Sequence, residues 1–152
     1  MNCRVEEFGL MIHPKYSFLG ASPDAIVSCS KCGTGIVEVK CPYGKKENLY
    51  RKLDPVACAK VPGFCCHVIN DKVTLKTGHD YHYQVMGLLG VTGHKWADFV
   101  VWTTKGTAVQ RIHFDSVMWA EMLEKLKNFY TDAMIPELFT RRVKRGQSLY
   151  NE

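Results

Sequence analysis

Apolar positions recur every second residue through the front of the chain and every third or fourth through two later stretches, and that change of period marks out the elements. Phe8–His13, closed by His13-Pro14, predicts a first strand. Gly20–Val27 and Gly35–Lys40 predict two more, joined by the turn residues Cys32-Gly33-Thr34-Gly35 into a hairpin with its apex near Lys31. Glu47–Lys52 predicts one or two helical turns. The Pro, Gly and Cys content from Asp54 to Asn70 predicts loop, and Asp71–Leu75 a short strand. Asp80 is the expected N-cap of a helix reaching about Val91, ended by Thr92-Gly93. Ala97–Thr103 reads as a buried strand through Phe99, Val100, Val101 and Trp102, and Lys105-Gly106 turns it into Thr107–Phe114. Asp115 caps a last helix whose Trp119, Met122, Leu123, Leu126, Phe129 and Tyr130 share a face expected to pack in a core. This order of elements indicates an α/β domain around a mixed central sheet flanked by helices.

The length of 152 residues is enough for one domain with a real core. The formal net charge of +5 suits a polyanionic partner. Much of the excess lies in Arg141, Arg142, Lys144 and Arg145, and residues 141–152 read as a basic C-terminal tail following a domain at 1–140. No apolar run is long enough to span a membrane and no signal peptide is evident, so the expectation is an intracellular protein, not secreted, with its seven cysteines reduced. Cys29-Ser30-Lys31-Cys32 has the spacing of half a zinc knuckle. Cys58, Cys65, Cys66 and His67 are the nearby candidates for a second half, so hairpin-tip thiols rather than structural Zn²⁺ are expected.

The chemistry concentrates in the predicted hairpin. Side chains of a strand alternate faces, so Glu38 and Lys40 project together while Val39 is expected to point into the core. With the apex near Lys31, Asp24 lies across from Glu38. Two carboxylates and an ammonium then converge, a set suited to a hard divalent cation and a phosphodiester, because Mg²⁺ takes one or two carboxylates and leaves its other positions to water and phosphate. On the helix from Asp80, Tyr81 and Gln84 share a face with Leu88, and a glutamine there needs hydrogen-bond partners that such a site can supply.

Ser22-Pro23-Asp24, Gly35-x-x-Glu38-x-Lys40-Cys41-Pro42 and Tyr81-x-x-Gln84 together resemble the YqaJ-like viral recombinase family, which includes lambda-type exonucleases within the PD-(D/E)XK, restriction-endonuclease-like superfamily. The resemblance runs from about Phe8 through the last helix. Phe64-Cys65, His79-x-Tyr81 and Val101-Trp102-Thr103 resemble the animal, mobile-element-associated branch. It implies Asp24, Glu38 and the main-chain carbonyl of Val39 as metal ligands, Lys40 as the residue that positions or activates the nucleophilic water, Gln84 beside them, Tyr81 lining the site, and Ser22 near the phosphate of the DNA end. The implied reaction is Mg²⁺-dependent hydrolysis, with Mn²⁺ able to substitute, of one strand of linear double-stranded DNA inward from a 5′ end, in recombination, repair or mobile-element DNA processing. Double-stranded DNA ends, a single-strand annealing protein and further copies of the chain are the implied partners, and the nucleus is the implied compartment in a eukaryote.

Three departures from the family pattern bear on this. Members carry helices ahead of the first strand that help bind DNA, whereas this sequence starts almost at the strand. Some place another acid upstream of the first ligand, whereas here no Asp or Glu lies between Glu7 and Asp24, and His13 is the nearby polar group. Ala25 stands where glycine is common. Alternatives remain open at this point: a structure-selective endonuclease or resolvase using the same residues, a non-catalytic DNA-binding module that keeps the fold, and a cysteine-based zinc module. No cysteine pairs with a histidine and an orienting acid as a Cys–His hydrolase needs.

Overall fold

In a computed structural model, which describes residues 3–44 and 49–149, the chain from Ala25 to Lys40 forms the expected hairpin. Strands β4 (Ala25–Cys29) and β5 (Gly33–Lys40) run antiparallel with Ala25 opposite Val37 and Cys29 opposite Gly33, which centres the turn on Lys31. β5 then pairs in parallel with β8 (Trp96–Thr103), and β8 turns at Gly106 into antiparallel β9 (Gly106–His113). On the other edge β1 (Cys3–Glu6) pairs antiparallel with β4. The result is a mixed five-stranded sheet in the order β1-β4-β5-β8-β9.

The front of the chain differs from the sequence expectation in two places. The outer strand is β1, not Phe8–His13, from which only β2 (Met11–Ile12) is strand, paired with β3 (Gly20–Ala21) in a separate ribbon. Every residue of β1 is exposed, so this edge strand carries no apolar alternation to reveal it. Gly20–Val27 is divided at Ser22-Pro23-Asp24 because Pro23 has no N–H for a ladder.

The stretch expected as loop from Asp54 to Asn70 is also more ordered than its composition implies. Asp54 Oδ1 accepts the N–H groups of Val56 and Ala57 at 2.9 Å, and Pro55 opens the short helix α1 (Pro55–Ala59). Strands β6 (Cys66–Ile69) and β7 (Lys72–Leu75) form a hairpin whose turn residues Asn70 and Asp71 both take positive φ, 47° and 58°. Gln110 of β9 ties this hairpin to the sheet by accepting the Leu75 N–H at 2.6 Å. Ahead of α1, Leu49–Lys52 make a 3₁₀ turn; the remainder of the helical stretch expected at Glu47–Lys52 lies outside the described residues.

Helix α2 (Asp80–Thr92) covers the sheet. Its N-cap is His79 rather than Asp80, with Nδ1 accepting the Tyr81 N–H at 3.1 Å, and Gly93 ends it in a left-handed conformation with φ 74°. Val85, Met86 and Leu89 of α2 are buried with Ile36 of β5 and Ala97, Phe99 and Val101 of β8, the centre of the core. Among the described residues no helix is long and apolar enough to cross a membrane.

The opposite face of the hairpin closes on an aromatic side chain. Trp96 donates its indole N–H to the Cys32 carbonyl at 3.2 Å, and the Arg111 guanidinium lies 3.6 Å over its ring while bonding Asp98 with two contacts of 2.8 Å. Gly35 lies against the ring, where an added Cβ would stand 2.4 Å from it.

The chain divides into two compact units, Met1–Phe114 and Asp115–Glu152. In the second, Asp115 caps α3 (Ser116–Phe129) as expected, accepting the Val117 and Met118 N–H groups. Its apolar stripe is less covered than a core stripe: Trp119 is buried, Met122, Leu123 and Leu126 are half-buried, and Phe129 is 40% exposed. Helical spacing fixes which side chains share a face, not how much of that face is covered. A wide π turn at Tyr130–Met134 leads into α4 (Ile135–Thr140), where Pro136 has no N–H to continue the α ladder. The basic segment that follows is folded through Arg145, with Arg141 ending α4 at φ 50° and Val143–Arg145 making a 3₁₀ turn.

Gly35→Ala should lower stability by about 1–3 kcal/mol through overpacking against Trp96. A denaturant midpoint equal to that of the parent protein would contradict the close approach.

Candidate active site

Glu38 organises the site. β5 places it on the same sheet face as Ile36 and opposite Phe99 of β8, so a carboxylate stands in an apolar surface with 3% of the residue exposed. Val39, expected to point inward, is instead 36% exposed, because α2 covers the Glu38 face and not the Val39 face.

One oxygen of Glu38 accepts two hydrogen bonds. Lys40 donates to Oε1 at 2.5 Å and Gln84 of α2 donates to the same oxygen at 2.7 Å. Oε2 is buried and has no hydrogen-bond partner among the described residues. A buried carboxylate oxygen without a donor is costly, so its position asks for a cation or a proton. Burial, acting first, holds the Glu38 carboxyl above the usual carboxylate range; Lys40 pulls it down, Asp24 pushes it up and Gln84 pulls it down again.

Asp24 approaches from β4. One step beyond the Ala25–Val37 pair it lies opposite Glu38, exposed, with Oδ2 accepting the Val39 N–H at 2.7 Å. Pro23 beside it is fully buried and fixes the turn, while Ser22 is exposed. The Lys40 ammonium, held by Glu38, lies 4.6 Å from the Tyr81 ring centroid, so α2 supplies both Gln84 and an aromatic contact for the lysine. The structure therefore brings Asp24, Glu38, Val39, Lys40, Gln84 and Tyr81 to one place, with Ser22 two residues from Asp24. His13 does not stand in for an upstream acid through Nδ1, which accepts the N–H groups of Lys15 and Tyr16 at 3.1 Å to close its own turn.

A cavity of about 360 Å³ opens beside Lys40. Pro42 and Tyr43 after β5, Phe64 and Cys65 before β6, and Tyr81 form its walls. Lys76 holds that side in place by donating to the Phe64 carbonyl at 2.7 Å, and Tyr50 packs against Phe64 at a tilt, with centroids 5.1 Å apart. Sequence reasoning did not single out Pro42 or Tyr43 as lining the site. Their one signal is that they directly follow Lys40, and the loop sequence alone does not say which wall they meet.

The family profile described as the YqaJ-like viral recombinase domain matches residues 1–95. No curated protein matches the chain. Among solved structures, an alkaline exonuclease, LHK-Exo, from Laribacter hongkongensis shares the fold with a TM-score of 0.63 and 23% identity, over 95% of this chain and 64% of that one. LHK-Exo in complex with dAMP gives the same TM-score and identity, over 95% and 63%. The chain thus spans somewhat less than two thirds of the length of these structures, and the likeness is one of fold.

The raised carboxyl of Glu38 has a definite sign in stability. The folded protein takes up that proton more readily than the unfolded chain, so the stabilising contribution is present at low pH and is lost as pH rises through the folded-state value. In metal-free buffer, the stability of the parent protein should fall relative to Glu38→Gln as pH climbs from the ordinary carboxylate range, about pH 4. Paired denaturant titrations across pH measure this, and a difference that does not vary with pH would contradict the burial effect.

Proposed function

Because the chain belongs to the YqaJ-like viral recombinase domain family, we propose that it is a Mg²⁺-dependent deoxyribonuclease that degrades one strand of linear duplex DNA from its 5′ end. The observation that carries this reading is the partnerless, buried Oε2 of Glu38 in a cluster with Asp24, Lys40 and Gln84. Among the described residues no group of three or more His, Cys, Asp or Glu side chains is arranged to hold a metal, so the donor set is two carboxylates with main-chain oxygen, water and phosphate for the rest. Mg²⁺ accepts such a set, because it keeps several waters and needs few protein ligands.

Glu38, Asp24 and the carbonyl of Val39 are the groups that would hold the cation. A strand residue directs its N–H and C=O to the same edge, and the Val39 N–H already reaches Asp24, so its carbonyl faces the Asp24 side. When bound, the cation supplies Lewis acidity, lowering the pKa of its water and polarising the phosphoryl oxygen.

The remaining work falls to the chain's own residues. Lys40, whose Nζ donates to Glu38, positions or activates the attacking water and balances charge on the phosphorane-like transition state. Gln84 fixes the Glu38 carboxylate from α2 and leaves Oε2 as the free oxygen. Ser22 is exposed and available to donate to a phosphate oxygen of the DNA end. The aromatic walls at Tyr43, Phe64 and Tyr81 suit the base of the terminal nucleotide, because stacking is tolerant of base identity. Phosphate contacts then supply most of the affinity and little sequence preference.

The test uses Mg²⁺ with end-labelled linear duplex DNA beside a covalently closed circle. Mononucleotides released from the 5′ end of the linear DNA alone are expected. Lys40→Ala should reduce that rate by at least about a hundredfold while leaving the fold and most DNA affinity unchanged. Cutting of the closed circle would replace the exonuclease with an endonuclease, and an unchanged rate in the variant would remove Lys40 from the chemistry. DNA affinity should also fall steeply with added salt; affinity indifferent to salt would argue against a phosphate-binding surface.

A further inference from the structure

Far along the hairpin from Glu38, three thiols meet at one end of the sheet. Cys3 of β1 is the register partner of Cys29 of β4. Cys32 lies in the turn that joins β4 to β5, three residues beyond Cys29. Cys3 and Cys32 are exposed, while Cys29 is 8% exposed beside them.

The turn is arranged around the Cys29 sulfur. The backbone N–H groups of Lys31 and Cys32 border it, and the Cys3 thiol lies across the strand pair. These donors draw the Cys29 thiol down to about 7, led by the Lys31 N–H. Cys3 is pushed up, chiefly by the neighbouring Cys29 thiol. Arg111, fixed by Asp98 and stacked on Trp96, adds a positive charge near Cys32. Of the two neighbours, Cys3 is the better placed to join Cys29. Register partners in an antiparallel pair have Cα atoms about 4.5–5.5 Å apart, within the range a disulfide bridges, whereas Cys32 has no register partner and lies in the turn beyond Cys29.

We propose that these residues form a peroxide-reactive thiol site, in which Cys29 is oxidised and Cys3 closes a cross-strand disulfide to it. The Cys29 thiolate attacks one oxygen of a hydroperoxide such as hydrogen peroxide. The O–O bond breaks, and the departing hydroxide takes up a proton as water, leaving Cys29 as a sulfenic acid. The Cys3 sulfur then attacks the Cys29 sulfur. The S–O bond breaks, and the hydroxide leaves with the Cys3 proton as a second water. Two thiols lose two electrons in total and the peroxide gains them. The product fastens the exposed edge strand β1 to the sheet, and nothing in this step depends on the nuclease reading.

The experiment is peptide mapping of the folded, reduced protein after brief exposure to one equivalent of hydrogen peroxide in chelator-containing buffer. Trypsin places Cys3, Cys29 and Cys32 on three separate peptides, since Arg4, Lys15, Lys31 and Lys40 flank them. The expected product is a Cys3–Cys29 cross-linked peptide, with free thiols falling from seven to five. Before oxidation, iodoacetamide should label Cys29 about tenfold faster than exposed Cys41 at neutral pH. Cys29→Ser should abolish the cross-link, whereas Cys3→Ser should leave a sulfenic acid that dimedone traps on Cys29. Seven thiols persisting, or a link confined to Cys65 and Cys66, would overturn the site. A Cys29–Cys32 link in the parent protein would overturn the assignment of Cys3 as the capturing thiol.

Discussion

A carboxylate set into an apolar sheet face is the constraint on which the site depends. Glu38 shares its face with Ile36 and sits beside Phe99, and burial there works against its charge. The surrounding structure offsets that cost on one side only. Lys40, two residues along the same strand, and Gln84, from the helix laid over the sheet, both donate to Oε1. Oε2 is left without a donor among the described residues, and the nearby Asp24 charge works against ionisation of Glu38. The fold thus leaves one buried carboxylate oxygen that a cation or a proton can satisfy, since a buried charge is stable only when fully paired.

That arrangement explains why the scaffold is built as it is. The hairpin register brings Asp24 level with Glu38, and Pro23 ends the ladder so that Asp24 leaves the strand and accepts the Val39 N–H. The parallel step from β5 to β8 requires a long crossover, and that crossover contains α1, the β6–β7 hairpin and α2. Two of these supply the site, Gln84 and Tyr81 from α2 and the Phe64–Cys65 wall leading into β6. On the far face Trp96 seals the hairpin against Gly35, so the strand carrying Glu38 is fixed from both sides.

Much of this was legible in the sequence because it depends on short-range geometry. Strand alternation paired Glu38 with Lys40, the apex near Lys31 set the register although the turn is Ser30–Cys32 and Gly33–Gly35 already belong to β5, and the three-residue spacing of Tyr81 and Gln84 placed both on one helix face. What failed depended on coverage or on weak local signals. Val39 was expected inside because alternation gives two faces but not which one a helix will cover. The edge strand Cys3–Glu6 has no apolar member turned to a core, so nothing in its composition distinguished it from loop. The Asp54-Pro55 start of α1 and the Asn70-Asp71 turn had recognisable chemistry, but the surrounding cysteines and glycines obscured both. The half-covered stripe of α3 shows the same limit as Val39: periodicity assigns a face, and only tertiary structure decides its burial.

The central claim is that Asp24 and Glu38 together hold a divalent cation through the oxygen the fold leaves free. The most direct measurement is an anomalous difference map from crystals of this chain soaked in Mn²⁺. The account predicts a single strong peak within coordinating distance of Glu38 Oε2 and an Asp24 carboxylate oxygen, on the side faced by the Val39 carbonyl, and its loss in Asp24→Asn. Crystals saturated with Mn²⁺ that show no peak there, or a peak unaffected by the Asp24 substitution, would contradict it.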